Sequence, residues 1–298
     1  MIRILGTVFA ALLGLAFGSF LNVCLSRWPE GESVVAPRSH CRACGRTLAW
    51  WENVPLLSWL ALRGRCRTCG VWIGWRYPLV ELAVGVLWAV VAWRFLDWAL
   101  VPGVPALAVL KGIAILLGRI VLCWILVALA VLDSENFWLP NWLTVPGIAL
   151  GFLYSVIPIP ISYDGAFALF RWGESVPVRA ALASLLAILA AAGLILLIRW
   201  LYWLIRRREG IGLGDAKLMA MLAAWLGLPG ALLAFGIGVV LGAAMALLMF
   251  VVPAMRSNSE EPLALTKLPL GTFLCIGGIV SALWGQPILA AYMRWAGF

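Results

Sequence analysis

"EGIGLGDAKLMA", Glu209 to Ala220, sets an aspartate between glycines at the edge of an apolar run. Asp215 is one of only four aspartates in the chain, so its place beside a membrane-grade segment needs a reason. Beyond it, Ala216 to Leu228 is apolar except for Lys217. Pro229 and Gly230 then separate this short segment from a longer one, the pattern of a tight helical hairpin.

The same apolar character extends outward over the whole chain. Of 298 residues, 64% are hydrophobic and 12% are charged, where a soluble domain carries about 25% charged residues. The mean hydropathy is +1.02. A span needs about 20 mostly apolar residues. Apolar segments lie at 4–25, 79–98, 104–132, 141–160, 178–205, 215–228, 230–252 and 268–292. The fold class expected is therefore an all-α polytopic membrane protein with about eight transmembrane helices. The run from Ile4 to Cys24 is too long for a signal-peptide core and is read as a retained span. The expected organisation is a first helix (1–25), a polar loop (26–78) and a membrane-embedded remainder (79–298).

Charge sets the expected orientation. The net charge is +9, mostly from arginine. In a membrane protein, basic residues report sidedness, and no nucleic-acid partner is expected. The loop 26–78 holds Arg27, Arg38, Arg42, Arg46, Arg63, Arg65, Arg67 and Arg76. Arg206 to Arg208 precede the glycine-rich stretch, and Arg256 and Lys267 follow the seventh segment. The loops near 99–103 and 161–177 are poor in Lys and Arg. Eight spans would put the basic loops in the cytoplasm and both termini outside. Asp133 and Asp215 would then share the cytoplasmic side.

The loop after the first segment carries "HCRACG" (His40 to Gly45) and "RCRTCG" (Arg65 to Gly70). Cys41, Cys44, Cys66 and Cys69 form two C-x-x-C pairs, the spacing of a tetrahedral four-thiolate zinc site. Gly45 and Gly70 free the backbone for the two turns. Two disulfides, or reduced thiols without an ion, are the alternatives; a reducing cytoplasm disfavours disulfides. His40 is read as a loop residue. Cys24, Cys123 and Cys275 lie in apolar runs and are read as packing residues.

Asp97 and Asp164 fall at or in outer-side loops and are read as solvated acids. Asp133 closes the third apolar segment in "VLDSENFWLPN", and Asp215 opens the sixth. Ionisable groups at spans point to function. Two carboxylates brought together share a proton, and one can deprotonate water while the other protonates a leaving group. That is aspartic-protease chemistry. Gly212 and Gly214, lacking Cβ atoms, would let a substrate backbone or a neighbouring helix approach. The competing reading is structural: Asp215 caps one helix and Asp133 ends another. From the residues alone the two readings stand nearly even.

Jointly, the motifs resemble the bacterial type IV prepilin peptidases, a bifunctional leader peptidase and N-methyltransferase family. The similar stretches are Gly18 to Gly45, Trp50 to Gly70 and "WRYPLVEL", Trp75 to Leu82. Asp133 with Leu139, Pro140 and Asn141 fits the family's first catalytic motif. Gly212, Gly214, Asp215 and Lys217 fit its G-x-G-D-x-K motif. The resemblance implies that Asp133 and Asp215 cleave the basic leader of prepilins or type II secretion pseudopilins after a glycine. It places that reaction at the cytoplasmic face of the inner membrane. It also implies methylation of the new N-terminus by S-adenosylmethionine, and a zinc-binding cysteine loop. Two departures occur: Glu135 stands where the family often has a second acid, and "LPLGTFL" (Leu268 to Leu274) replaces a Pro-Phe-Gly-Pro-Phe pattern.

Three expectations remain. Lys217, two residues past Asp215, points away from it on a helix, and orients the site, meets lipid phosphate or is simply an interfacial lysine. Glu135 either receives the leader's basic residues or is a solvated acid. The methyl donor has no glycine-rich fingerprint here, so its site is expected at the cysteine loop and adjoining helix ends, with Arg76, Tyr77 and Glu81 as candidates. The rival class is a transporter or assembly subunit, which would hold its two acids apart.

Overall fold

The computed structural model describes residues 1–156, 177–208, 212–251 and 268–297. The loop 161–176, with Asp164, lies outside them, as do Glu209, Arg256 and Lys267. Eight α-helices follow in order: α1 Ile2–Arg27, α2 Leu57–Ala61, α3 Arg76–Ala99, α4 Ala106–Asn136, α5 Asn141–Val156, α6 Pro177–Arg206, α7 Leu213–Val251 and α8 Leu270–Trp295. Among the described residues, extended pairing is confined to two isolated bridges in the cysteine loop. The fold is all-helical, as apolar segments require when lipid offers no hydrogen bonds to the backbone.

Among the described residues, six helices are long and apolar enough to cross a membrane: α1, α3, α4, α6, α7 and α8. The protein is a multi-pass membrane protein. Helix α5 has 16 residues, fewer than a full span requires. The expected break near Pro229 falls at Gly227, whose backbone leaves helical geometry at φ 70° and ψ 171°. A Cβ on Gly230 would lie 2.7 Å from the Leu226 Cβ. On a straight helix such atoms sit about 5–6 Å apart, so the segments before and after Gly227 are not one rod.

The chain forms two compact units, Met1–Ala128 and Leu129–Phe298. In the first, α1 packs on α3 at very short range. A Cβ on Gly14 would lie 2.9 Å from the Gly85 Cα, and one on Gly18 would lie 2.7 Å from the Glu81 Cα. Glycines four apart let the two backbones touch, the usual device where lipid removes the hydrophobic drive between helices. This approach holds Glu81 against α1. Arg27, 4% exposed at the end of α1, donates to the Ser33 carbonyl at 2.7 Å and the Pro37 carbonyl at 2.6 Å. These bonds tie the start of the polar loop to the helix.

In the second unit, α7 packs against α5, α6 and α8. Trp225 donates to the Gly147 carbonyl at 2.8 Å, and Ser281 to the Gly230 carbonyl at 2.8 Å. The first stretch of α7 is buried almost continuously from Asp215 to Leu226. It is thus a core element, and Asp215 sits at its mouth.

Candidate active site

Asp133 lies in the last turn of α4 and Asp215 in the first turn of α7. Both are buried, at 6% and 8% exposure. The Asp133 Oδ2 accepts the Thr272 backbone N–H at 2.6 Å and the Thr272 hydroxyl at 3.2 Å. Both donors come from the first turn of α8. Asp215 Oδ2 accepts the Gly212 N–H at 3.2 Å, which is half of a capping box. The capping role weighed from the sequence is therefore present at Asp215.

The helix ends that carry the two acids meet around Leu139. Leu139 sits at the junction. It would meet a Cβ on Gly214 at 3.1 Å and one on Gly271 at 3.0 Å. Gly271 would also press its Cβ to 2.9 Å from the Asp133 carboxyl. Gly214 thus makes room for the Leu139 side chain, whereas a Cβ at Gly212 would face only Asp215 and the Gly214 nitrogen.

The supporting residues fall into two sets. Lys217 reaches Asn141, its ammonium donating to the side-chain oxygen at 2.6 Å. Pro140 accepts the Thr144 N–H and hydroxyl at 3.0 Å each, starting α5. Glu135 is exposed on the last turn of α4. Asp97 closes α3 and pairs with Arg3. Thr272 and Gly271 were not singled out in the sequence; their one signal was the departure in "LPLGTFL".

The cysteine loop is built from two near-copies of one turn. Cys41 N–H donates to the Arg46 carbonyl at 2.9 Å and Gly45 N–H to the Cys41 carbonyl at 2.8 Å. Cys66 and Gly70 repeat this toward Val71 and Cys66, both at 2.9 Å. Gly45 and Gly70 carry φ of 70° and 69°, a left-handed conformation that favours glycine. The sulfurs of Cys41, Cys44, Cys66 and Cys69 all lie within 4.8 Å of one another, with Cys41 and Cys69 at 3.8 Å. Tetrahedral thiolates about 2.3 Å from zinc are about 3.8 Å apart, so the donor set fits the ion. The Cys66 thiol is pushed down to about 6 by the backbone N–H groups of Cys69 and Thr68. His40 Nδ1 hydrogen-bonds the Arg38 carbonyl at 3.1 Å.

Beneath the knuckles, Glu52 is gripped by Arg46 at 2.7 and 3.0 Å and by the Ala49 N–H at 2.8 Å. The Arg46 guanidinium holds this carboxyl below its ordinary range. A cavity of about 370 Å³ opens between the loop and the ends of α1 and α3. Tyr77 and Glu81 line it. Arg76 stands beside it, donating to the Ser26 hydroxyl at 2.7 Å, with its guanidinium 4.8 Å from the Tyr77 ring centre.

Fold and site together define a polytopic helical membrane protein with two buried aspartates gathered around Leu139 and a four-thiol cluster. Residues 12–95 match the bacterial peptidase A24 N-terminal domain, and residues 120–247 match the type IV leader peptidase family. A prepilin leader peptidase/N-methyltransferase of Stutzerimonas stutzeri is 34% identical over 96% of this chain and 93% of its own length. One of Pseudomonas aeruginosa is 34% identical over 96% and 93%. One of Burkholderia pseudomallei is 38% identical over 94% and 85%. No solved structure matches the chain at a significant level. The chain belongs to the type IV leader peptidase family.

Proposed function

We propose that this protein cleaves the leader of type IV prepilins or type II secretion pseudopilins after a glycine and then N-methylates the new N-terminal residue. The observation that carries the peptidase half is the placement of Asp133 and Asp215, both buried, at helix ends that meet around Leu139. A transporter or assembly subunit holding its acids apart is disfavoured by that shared packing and by the match to the type IV leader peptidase family.

Asp133 and Asp215 are the catalytic pair. One carboxylate takes a proton from water as its oxygen attacks the peptide carbonyl carbon. The other carboxyl gives its proton to the leaving nitrogen as the C–N bond breaks. Gly212, Gly214, Lys217, Pro140 and Asn141 support the geometry. The prepilin helix, itself apolar, reaches the site through the bilayer. The site faces the cytoplasm from a bacterial inner membrane, by the distribution of arginine among the loops. The basic surface there attracts anionic lipid. The eight-span count fits if α5 and both segments of α7 cross.

Cys41, Cys44, Cys66 and Cys69 would hold zinc, which supplies a structural crosslink when bound. S-adenosylmethionine supplies the activated methyl when bound, and Arg76, Tyr77 and Glu81 are the residues of the donor site. The division proposed is a first transmembrane helix (1–25), the cytoplasmic four-cysteine zinc loop (26–78) and the membrane-embedded peptidase (79–298).

Purified protein incubated with a prepilin and isotopically labelled donor tests the reading. Leader loss and an N-terminal mass gain of one methyl are expected. Asp133→Asn and Asp215→Asn should each remove cleavage in folded protein. Near-normal cleavage by either variant would exclude that residue from the mechanism.

A further inference from the structure

The cavity under the cysteine knuckles has chemistry of its own. Asn22, 2% exposed in α1, gives its amide N–H to the Tyr77 carbonyl at 2.9 Å. Its side-chain oxygen has no partner among the described residues, and the residue lines the cavity. A buried amide oxygen left without a donor is costly, and a ligand donor would satisfy it. Glu81, 7% exposed, also borders the cavity and accepts the Leu56 N–H at 2.8 Å. Of the four arginines that line the cavity, Arg46 is bonded to Glu52, Arg42 to Glu30 and Ser26, and Arg27 to Ser33 and Pro37, while Arg67 stacks over the Trp51 ring at 5.1 Å. Trp59 and Trp72 also line the cavity, ring centres 5.6 Å apart and edge to face.

We propose that this cavity is the methyl-donor site, with Asn22 and Glu81 facing the donor's cationic and hydroxyl groups and Trp59 and Trp72 flanking its purine. The assignment rests on the N-methyltransferase reading above and adds Asn22, Trp59 and Trp72 to it. The volume suits a ligand of this size, since small-molecule sites run from about 300 to 1,000 Å³. A sulfonium and a ribose both need acceptors, and a flat heterocycle needs an aromatic wall.

Equilibrium dialysis of radiolabelled S-adenosylmethionine against full-length protein in detergent tests it. Glu81→Gln keeps an acceptor for Leu56 but loses the charge, and should weaken donor binding at least tenfold. Asn22→Leu, which removes the acceptor, should lose at least fivefold. Circular dichroism and gel filtration check folding. Binding by both Glu81→Gln and Asn22→Leu within twofold of the unaltered protein overturns the placement. An azido-purine donor analogue crosslinked to the unaltered protein needs no variant. Adducts on peptides holding Trp59 or Trp72 support the site, and adducts only elsewhere overturn it. If the unaltered protein binds no donor, the methyltransferase reading itself fails, which is a separate and distinguishable result.

The packing around Asp133 supports an independent assignment: Thr272 is a positioning residue for the peptidase. Its N–H and hydroxyl both engage Asp133 Oδ2, and the hydroxyl also donates to the Ala130 carbonyl at 3.0 Å. One carboxylate oxygen is thereby pinned to α8, leaving the other to face the reaction. Thr272→Val keeps the shape and the N–H but loses the hydroxyl. Thr272→Pro removes the N–H in the first turn of a helix, where proline is tolerated. Thr272→Ser keeps both donors. The expected result is a kcat loss of tenfold or more for the valine and proline variants, KM within twofold, and rescue by serine. A raised KM with kcat unchanged, or a serine variant as poor as valine, overturns the assignment.

Discussion

The Lys217 ammonium donates to the side-chain oxygen of Asn141 at 2.6 Å, joining two segments 76 positions apart. Asn141 is the first residue of α5, five residues after the end of α4, and Lys217 is two residues past Asp215. The bond therefore couples the entry of α7 to the connection that follows Asp133. Of the roles open for Lys217 in the sequence, this contact is compatible with orienting the site.

Lys217→Met and Asn141→Leu should each slow leader cleavage, and the double variant should be no slower than the worse single one. The contact is partly exposed, so the coupling should be about 1 kcal/mol, below the range for buried charged hydrogen bonds. A double-mutant cycle on kcat/KM measures it. Fully additive effects would mean that the two side chains act separately.

Gly271 and Gly214 are expected to be intolerant for a geometric reason. Gly271→Ala would drive a Cβ to 2.9 Å from the Asp133 carboxyl, and Gly214→Ala would press one to 3.1 Å from Leu139. A misplacement of about 1 Å can cost on the order of a hundredfold in rate. Gly271→Ala should therefore lower cleavage about 10–100-fold while the protein stays folded. Gly193→Ala and Gly236→Ala, with open space around each added Cβ, are the controls. These should leave cleavage unchanged and stabilise their helices by up to about 1 kcal/mol. Equal losses in all four variants would remove the contact argument.

Elemental analysis should find about one zinc per chain in protein prepared without chelator. Cys41→Ser with Cys44→Ser should release it and open the loop between Trp28 and Trp75 to protease. Glu52 and Arg46 brace the knuckles but donate no sulfur, so Glu52→Gln should loosen the loop without removing the metal. Absence of zinc from the unaltered protein would return the loop to four reduced thiols.

Much of this architecture is written in local signals. The apolar segments mark the helices because lipid forbids other backbone solutions, and the knuckle turns need Gly45 and Gly70 where the spacing put them. What the sequence hides is long-range. Thr272 lies 139 positions from Asp133, and nothing local marks it as the donor that meets that carboxylate. Gly214 resembles space left for a substrate, but the Leu139 side chain uses it. Asn22 reads as one more residue in a helix until it is found lining a cavity, its side-chain oxygen without a partner among the described residues. The break in α7 was legible from Pro229, yet it falls two residues earlier, where Gly227 can adopt positive φ.

The last expectation concerns the independence of the two reactions. Hydrolysis needs a proton shared between Asp133 and Asp215. Methyl transfer needs an amine nucleophile in line with a methyl that the donor has already activated. The two demands differ, and one carboxylate pair is not suited to both. The residues assigned to the donor lie within Met1–Ala128, whereas both aspartates lie within Leu129–Phe298. Asp133→Asn and Asp215→Asn should therefore still methylate a pilin whose leader has been removed beforehand, at rates within about threefold of the unaltered protein. The order of the reactions is fixed, because the α-amine does not exist until the peptide bond is cut. Changes at Arg76 or in the loop from Cys41 to Cys69 should impair methylation more than cleavage. Methyl incorporation into pre-cleaved pilin, measured beside cleavage of intact prepilin, separates the two. If folded aspartate variants fail to methylate pre-cleaved pilin, the carboxylate pair serves both reactions and the division of labour is wrong.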